Sequence, residues 1–149
     1  MYYSKSDKGY VLRLEIGEEI QEALRQFAQA VGLKSAFYQG IGAVTRVELA
    51  FFCTDIKEYD KKFFDGEFEL TSLMGNLSSH DGAIIPHTHI TIGDRNFQTY
   101  AGHLVRAVVS VTVELLVTEL DMALTRKKDP ILKYEALISP KRTHLKLDV

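Results

Sequence analysis

The chain has 149 residues, 46% of them hydrophobic, a formal net charge of −2 and one cysteine, Cys53. That length accommodates one substantial core, and the charge balance excludes a globally basic nucleic-acid binder while leaving local patches open. A lone cysteine excludes an intrachain disulfide and fits a reducing compartment. The polar start, Met1 to Gly9, lacks the apolar core of a signal peptide, and Arg106 and Glu114 interrupt the longest apolar region. The expectation is a soluble cytoplasmic protein with no membrane partner.

Tyr10-Val11-Leu12-Arg13-Leu14 alternates as a first strand. Glu18 to Val31 then carries Ile20, Leu24, Phe27, Ala28 and Val31 at helical spacing, with Glu19, Glu22, Arg25, Gln26 and Gln29 on the other side. Acidic residues suit the first turn of this helix and Gly32 suits its end. From Gly32 onward the period is that of strands. The pattern predicts strands near 34–39, 43–53, 58–64, 66–78, 84–93, 97–103 and 107–119, with a short helical signal at 122–125. Turn signals at Gly40-Ile41-Gly42, Phe64-Asp65-Gly66 and His80-Asp81-Gly82 separate them. Gly40 and Gly42 serve either a tight turn or close chain packing. The fold class is therefore α+β, an antiparallel or mixed sheet with one principal helix. Residues 1–139 are read as a single domain and 140–149 as a C-terminal tail.

Three of the five histidines lie in Pro86-His87-Thr88-His89-Ile90 and Ala101-Gly102-His103-Leu104. On a strand His87 and His89 share a face. A three-residue loop, Asp94-Arg95-Asn96, would pair His103 with His87 and Ala101 with His89, and Asn96 tolerates the positive φ that such loops end on. A four-residue turn would instead turn His103 to the wrong face. In the clustered register three imidazoles can close around one ion at about 2 Å per bond. Zinc is the first candidate, with nickel, cobalt or copper also suited to neutral imidazole. Three protein ligands leave a fourth position for water or a neighbouring protomer.

Other constellations have blander readings. Ser79-His80-Asp81 has the residue types of a catalytic triad, but adjacent residues cannot form the relay, so it reads as a surface turn. Cys53, after two phenylalanines, reads as core. Gln39-Gly40-Ile41-Gly42 lacks the third glycine of a dinucleotide site. Glu69 and Glu114 are candidate proton-transfer or supporting partners for a metal. Arg126, Lys127 and Lys128, with Lys141 and Arg142 in the tail, are the candidate nucleic-acid contacts; neither cluster has interleaved aromatics.

The ordered set Gly40-Ile41-Gly42-Ala43-Val44, Gly66-Glu67-Phe68-Glu69-Leu70, Pro86-His87-Thr88-His89, Ala101-Gly102-His103-Leu104 and Val111 to Leu115 resembles the plants-and-prokaryotes conserved (PPC) domain, in its prokaryotic single-domain form. The resemblance runs from about Val11 to Leu120. It implies an α+β domain that assembles as a homotrimer, with His87, His89 and His103 as zinc ligands. It also implies a DNA-binding or regulatory role, although the Arg-Gly-Arg-Pro segment through which plant members grip DNA is missing from this chain. Three functions follow as expectations: a trimeric metal-binding module associated with DNA, a metal-dependent hydrolytic enzyme, and a purely structural metal site.

Overall fold

The computed structural model describes residues 1–138. Its helix, α1 (Ile20–Val31), forms where the apolar period is 3.6, and it buries Ile20, Ala23, Leu24, Phe27 and Ala28 on one face. The Glu19 side chain caps it, accepting from the backbone N–H groups of Gln21 and Glu22 at 3.1 and 2.9 Å. Gly32 ends it at φ 70°, and Leu33 N–H returns to the Ala28 carbonyl at 2.8 Å.

Among the described residues eight strands form one mixed, predominantly antiparallel sheet: β1 (Tyr2–Ser6), β2 (Gly9–Glu15), β3 (Ala36–Cys53), β4 (Glu58–His80), β5 (Ala83–Gly93), β6 (Thr99–Glu119), β7 (Thr125–Lys128) and β8 (Glu135–Ile138). The pairing runs β1-β2-β6-β3-β4-β7-β8, and β5 bonds both β4 and β6. Strands β3, β4, β5 and β6 therefore close into a ring. Among the described residues the one parallel contact is Ser79 with Thr125. Helix α1 lies against β5 and β6. The core between them holds Leu12, Leu14, Phe27, Leu73, Ile90, Ile92, Leu104 and Val113, all 3% exposed or less.

The molecule is mostly sheet, and its long strands absorb several expected breaks. Residues Gly40 and Gly42 are inside β3, across register shifts, and serve close packing instead of a turn. A Cβ on Gly40 would lie 2.3 Å from the Glu114 carbonyl oxygen, and one on Gly42 2.2 Å from that of Thr112. The Phe64-Asp65-Gly66 signal is likewise a bulge within β4, opposite Arg46 at φ 49°. By contrast His80-Asp81-Gly82 is a true hairpin turn: His80 pairs with Ala83, and Asp81 and Gly82 both have positive φ.

Three other expectations differ. The polar amino terminus forms β1, where Tyr3 packs edge-on against Phe27 at 5.3 Å. The short helix at 122–125 does not form, because Leu124 is buried and its backbone is occupied from both sides, N–H to Ser35 Oγ and carbonyl to Ser79 N–H. Cys53 ends β3 half-buried, outside the core. No helix among the described residues is long and apolar enough to cross a membrane. The expected tail, 140–149, lies outside the described residues.

Candidate metal centre

Strand β5 buries Pro86, Thr88, Ile90 and Ile92 on its inner side and turns His87 and His89 outward. Thr88 anchors that arrangement. Its hydroxyl donates to Gln21 Oε1 at 2.7 Å, since Gln21 Nε2 already donates to the Leu104 carbonyl at 3.2 Å. The one hydroxyl proton being used, Tyr38 must donate its own to Thr88 Oγ1, at 2.7 Å. Burial pushes the Tyr38 phenol far above its ordinary pKa, so it stays a donor.

The loop from β5 to β6 has the expected length and chemistry but sits one residue later. Asp94 and Gln98 close it, with Asp94 N–H to the Gln98 carbonyl at 2.9 Å, around Arg95, Asn96 and Phe97. Phe97, not Asn96, takes the positive φ of 61°. The Asp94 carboxylate accepts from the N–H groups of Asn96 and Gln98, which selects this placement. His103 consequently pairs with His89, not His87, and Ala101 with Thr91. The slip is two residues, so every side chain keeps its face.

His87, His89 and His103 converge. Their ring centroids are 5.1 to 5.4 Å apart, and one nitrogen from each lies within 4.8 Å of the others. His89 is exposed and the other two are half-buried. Burial first, and then neighbouring positive charge including Arg126, push the pKa of His87 and of His103 down to about 4, so both are neutral at pH 7.

The proposed partners lie elsewhere. Glu69 is exposed and pairs with Gly93, about 13 Å of strand from His89. Glu114 is exposed at the far end of β6, opposite Arg13 and Ile41. No carboxylate joins the three histidines among the described residues. Arg126 is also not a surface contact for nucleic acid: it is 8% exposed and its guanidinium donates to Ser78 Oγ, the Glu135 carbonyl and Asn76 Oδ1 at 2.8, 2.7 and 3.0 Å. Lys127 and Lys128 are exposed on β7, and Lys141 and Arg142 lie outside the described residues.

A family model for the Plants and Prokaryotes Conserved (PCC) domain matches residues 1–121. The chain belongs to this family. Among solved structures, a candidate DNA-binding protein from Bacteroides thetaiotaomicron is 31% identical, with a TM-score of 0.89 over 94% of this chain and 98% of that one. A candidate DNA-binding protein from Ralstonia eutropha is 29% identical, with a TM-score of 0.86 over 93% and 96%. A metal-containing protein from Archaeoglobus fulgidus is 26% identical, with a TM-score of 0.82 over 93% and 99%. No curated protein matches.

The donor set in this PCC chain fits a divalent transition metal. His103 Nδ1 is buried and has no hydrogen-bond partner, a costly state for an imidazole nitrogen that a metal bond would relieve. Three atoms all within 4.8 Å of one another leave a central point no more than about 2.8 Å from each, so closing to about 2.0–2.1 Å needs each ring to move inward by at most about 0.7 Å.

Sequence reasoning missed the surroundings of the histidines. Asn76 lies directly opposite His87 on β4, and Tyr59 stacks at 5.3 Å from His103. Asn76 has only a Gly-Asn dipeptide to mark it, and Arg126 sits in a basic run that reads as solvated; neither position carries a spacing that points to the histidines.

Proposed function

We propose that this PCC-domain protein is a homotrimeric metal-binding module in which His87, His89 and His103 hold one divalent ion, zinc first. The observation that carries this reading is the buried, unpartnered Nδ1 of His103 within reach of two further imidazoles. The metal-containing description of the Archaeoglobus fulgidus protein supports it. Bound there, zinc would supply a Lewis-acidic centre with a fourth position open. Trimer formation is supported by a contiguous apolar stretch on the outer sheet face: Val11, Phe37, Ile41, Met74 and Leu116 are each about half exposed on adjoining strands.

Metal content by mass spectrometry on untagged protein, with His87→Ala and His103→Ala beside it, tests the site. About one zinc per chain, lost in both variants, is expected; no metal in any sample overturns the reading. Sedimentation analysis checks the trimer.

A second reading, DNA association, is favoured by the descriptions of the Bacteroides and Ralstonia proteins and by exposed Lys127 and Lys128. A mobility shift at low salt that fades as salt rises supports it, and no shift at low salt sinks it. The hydrolytic alternative loses its expected bases, Glu69 and Glu114, to their distance from the histidines.

A further inference from the structure

The histidine cluster sits between two clefts of different character. Asn76 lines the first together with His87 and His89. The second, about 510 Å³, is lined by His89 and His103 and by Phe52, Tyr59, Leu132 and Tyr134. Its rings form a connected run: Tyr134 to Phe52 at 6.0 Å, Phe52 to Tyr59 at 5.1 Å, and Tyr59 to His103 at 5.3 Å. A volume of that size suits a small organic molecule, and its walls suit an apolar one.

The charge around the histidines calls for an anion. Arg126 brings a buried guanidinium to this face of β4, and no carboxylate among the described residues lies within 4 Å of it. Glu135 bonds Arg126 through its backbone carbonyl, while its carboxylate acts on that guanidinium from beyond contact distance and lies against His80, 2.9 Å from Nδ1. A divalent ion among the three imidazoles would add two more positive charges, and the carboxylate whose charge acts on Arg126, that of Glu135, lies against His80 and not among the histidines. A buried cation without a counter-charge is unfavourable, and an anionic fourth ligand offsets it where water does not.

Arg126 also orients the group beside that position. A guanidinium only donates, so Asn76 must present Oδ1 to it, which leaves the amide N–H groups on the other side, toward the cleft shared with His87. We infer that the open position selects a small organic carboxylate: Asn76, held by Arg126, favours the anionic head, and the cleft of Phe52, Tyr59, Leu132 and Tyr134 takes the apolar body. This inference rests on the metal site proposed above. In it Asn76 is the specificity residue and Arg126 a positioning residue.

Calorimetry on the zinc-loaded full chain at pH 7 tests it, with 3-phenylpropionate, acetate and 3-phenylpropanol as probes. Phenylpropionate is expected to bind at least about tenfold tighter than either of the others, which lack the apolar body or the charge. Phe52→Ala should reduce phenylpropionate binding and leave acetate unchanged. Asn76→Asp keeps an acceptor for Arg126, so the fold and its melting temperature hold, but it removes the amide donor and adds a negative charge. The carboxylate preference should fall by about tenfold or more in that variant. Equal affinity for the acid and the alcohol in zinc-loaded wild type overturns the inference and leaves the metal site standing, as does an Asn76→Asp protein with an unchanged preference. A protein that takes up no zinc overturns both.

Discussion

Thr88→Val replaces a hydroxyl by a methyl of similar size at a position with no exposure. The loss is not of one contact. Tyr38 and Gln21 both spend a buried polar atom on this hydroxyl, at 2.7 Å each, and the two residues are only 3% and 8% exposed. Leaving a buried polar group unpaired costs about 1–3 kcal/mol, so two of them place the destabilisation at about 3 kcal/mol, at the lower end if one side chain relaxes. For a chain of this size each kcal/mol lowers the melting temperature by about 3–4 °C, giving a drop of roughly 10 °C. Urea denaturation followed by circular dichroism measures it. A double-mutant cycle with Tyr38→Phe sharpens the result, because the second change removes one of the orphaned groups: the pair should be less destabilised than the sum by about 1 kcal/mol. A Thr88→Val loss under about 1 kcal/mol, or strict additivity with Tyr38→Phe, would refute the relay from Tyr38 through Thr88 to Gln21.

Acid should destabilise the metal-free protein through His87 and His103. Their folded pKa values, about 4, lie below the ordinary 6.5, so the unfolded chain binds more protons between those limits; the contribution is complete above pH 6.5 and is lost as pH falls toward about 4. The urea midpoint should decline across that window, and a His87→Gln, His103→Gln double variant should show a flatter profile; an identical profile would remove these residues as its cause. Gly75→Ala is expected to cost about 3 kcal/mol, because the new Cβ would lie 2.4 Å from the His87 carbonyl oxygen and 2.5 Å from the Tyr38 hydroxyl, and the backbone oxygen cannot step aside. A variant melting within about 2 °C of wild type would show that β4 and β5 separate more easily than this packing implies.

Helix α1 and its glycine stop were legible because both are local: period, capping and a positive φ are properties of neighbouring residues. The shared face of His87 and His89 was legible for the same reason, since alternation along one strand needs no partner. The hairpin that adds His103 was read with its loop one residue early, yet the cluster survived, because both registers have the parity that puts the three rings on one side. Strand ends were read least well. At Gly40-Ile41-Gly42 and Phe64-Asp65-Gly66, glycines that mark turns in isolation serve instead to admit the backbone of β6 or to form a bulge, and nothing within a few residues separates these uses.

By itself, then, the order of residues determined one helix, a strand-rich remainder, three histidines on one face, and membership of a recognisable family, all of which depend on short-range pattern. Only the tertiary structure decided what surrounds the histidines. Arg126 reads as one cation in a basic run, but the pairing of β7 with the free edge of β4 lays it over Ser78 and Asn76, where it is buried and bonded beside His87. Glu69 and Glu114 are carried in the opposite sense, out along their strands and away from the site. Both outcomes follow from contacts between residues far apart in the sequence, 24 positions for Glu69 with Gly93 and 48 or more for Arg126 with Ser78 and Asn76 and for Glu114 with Ile41 and Arg13, and the energy of such contacts appears only once the chain has closed on itself.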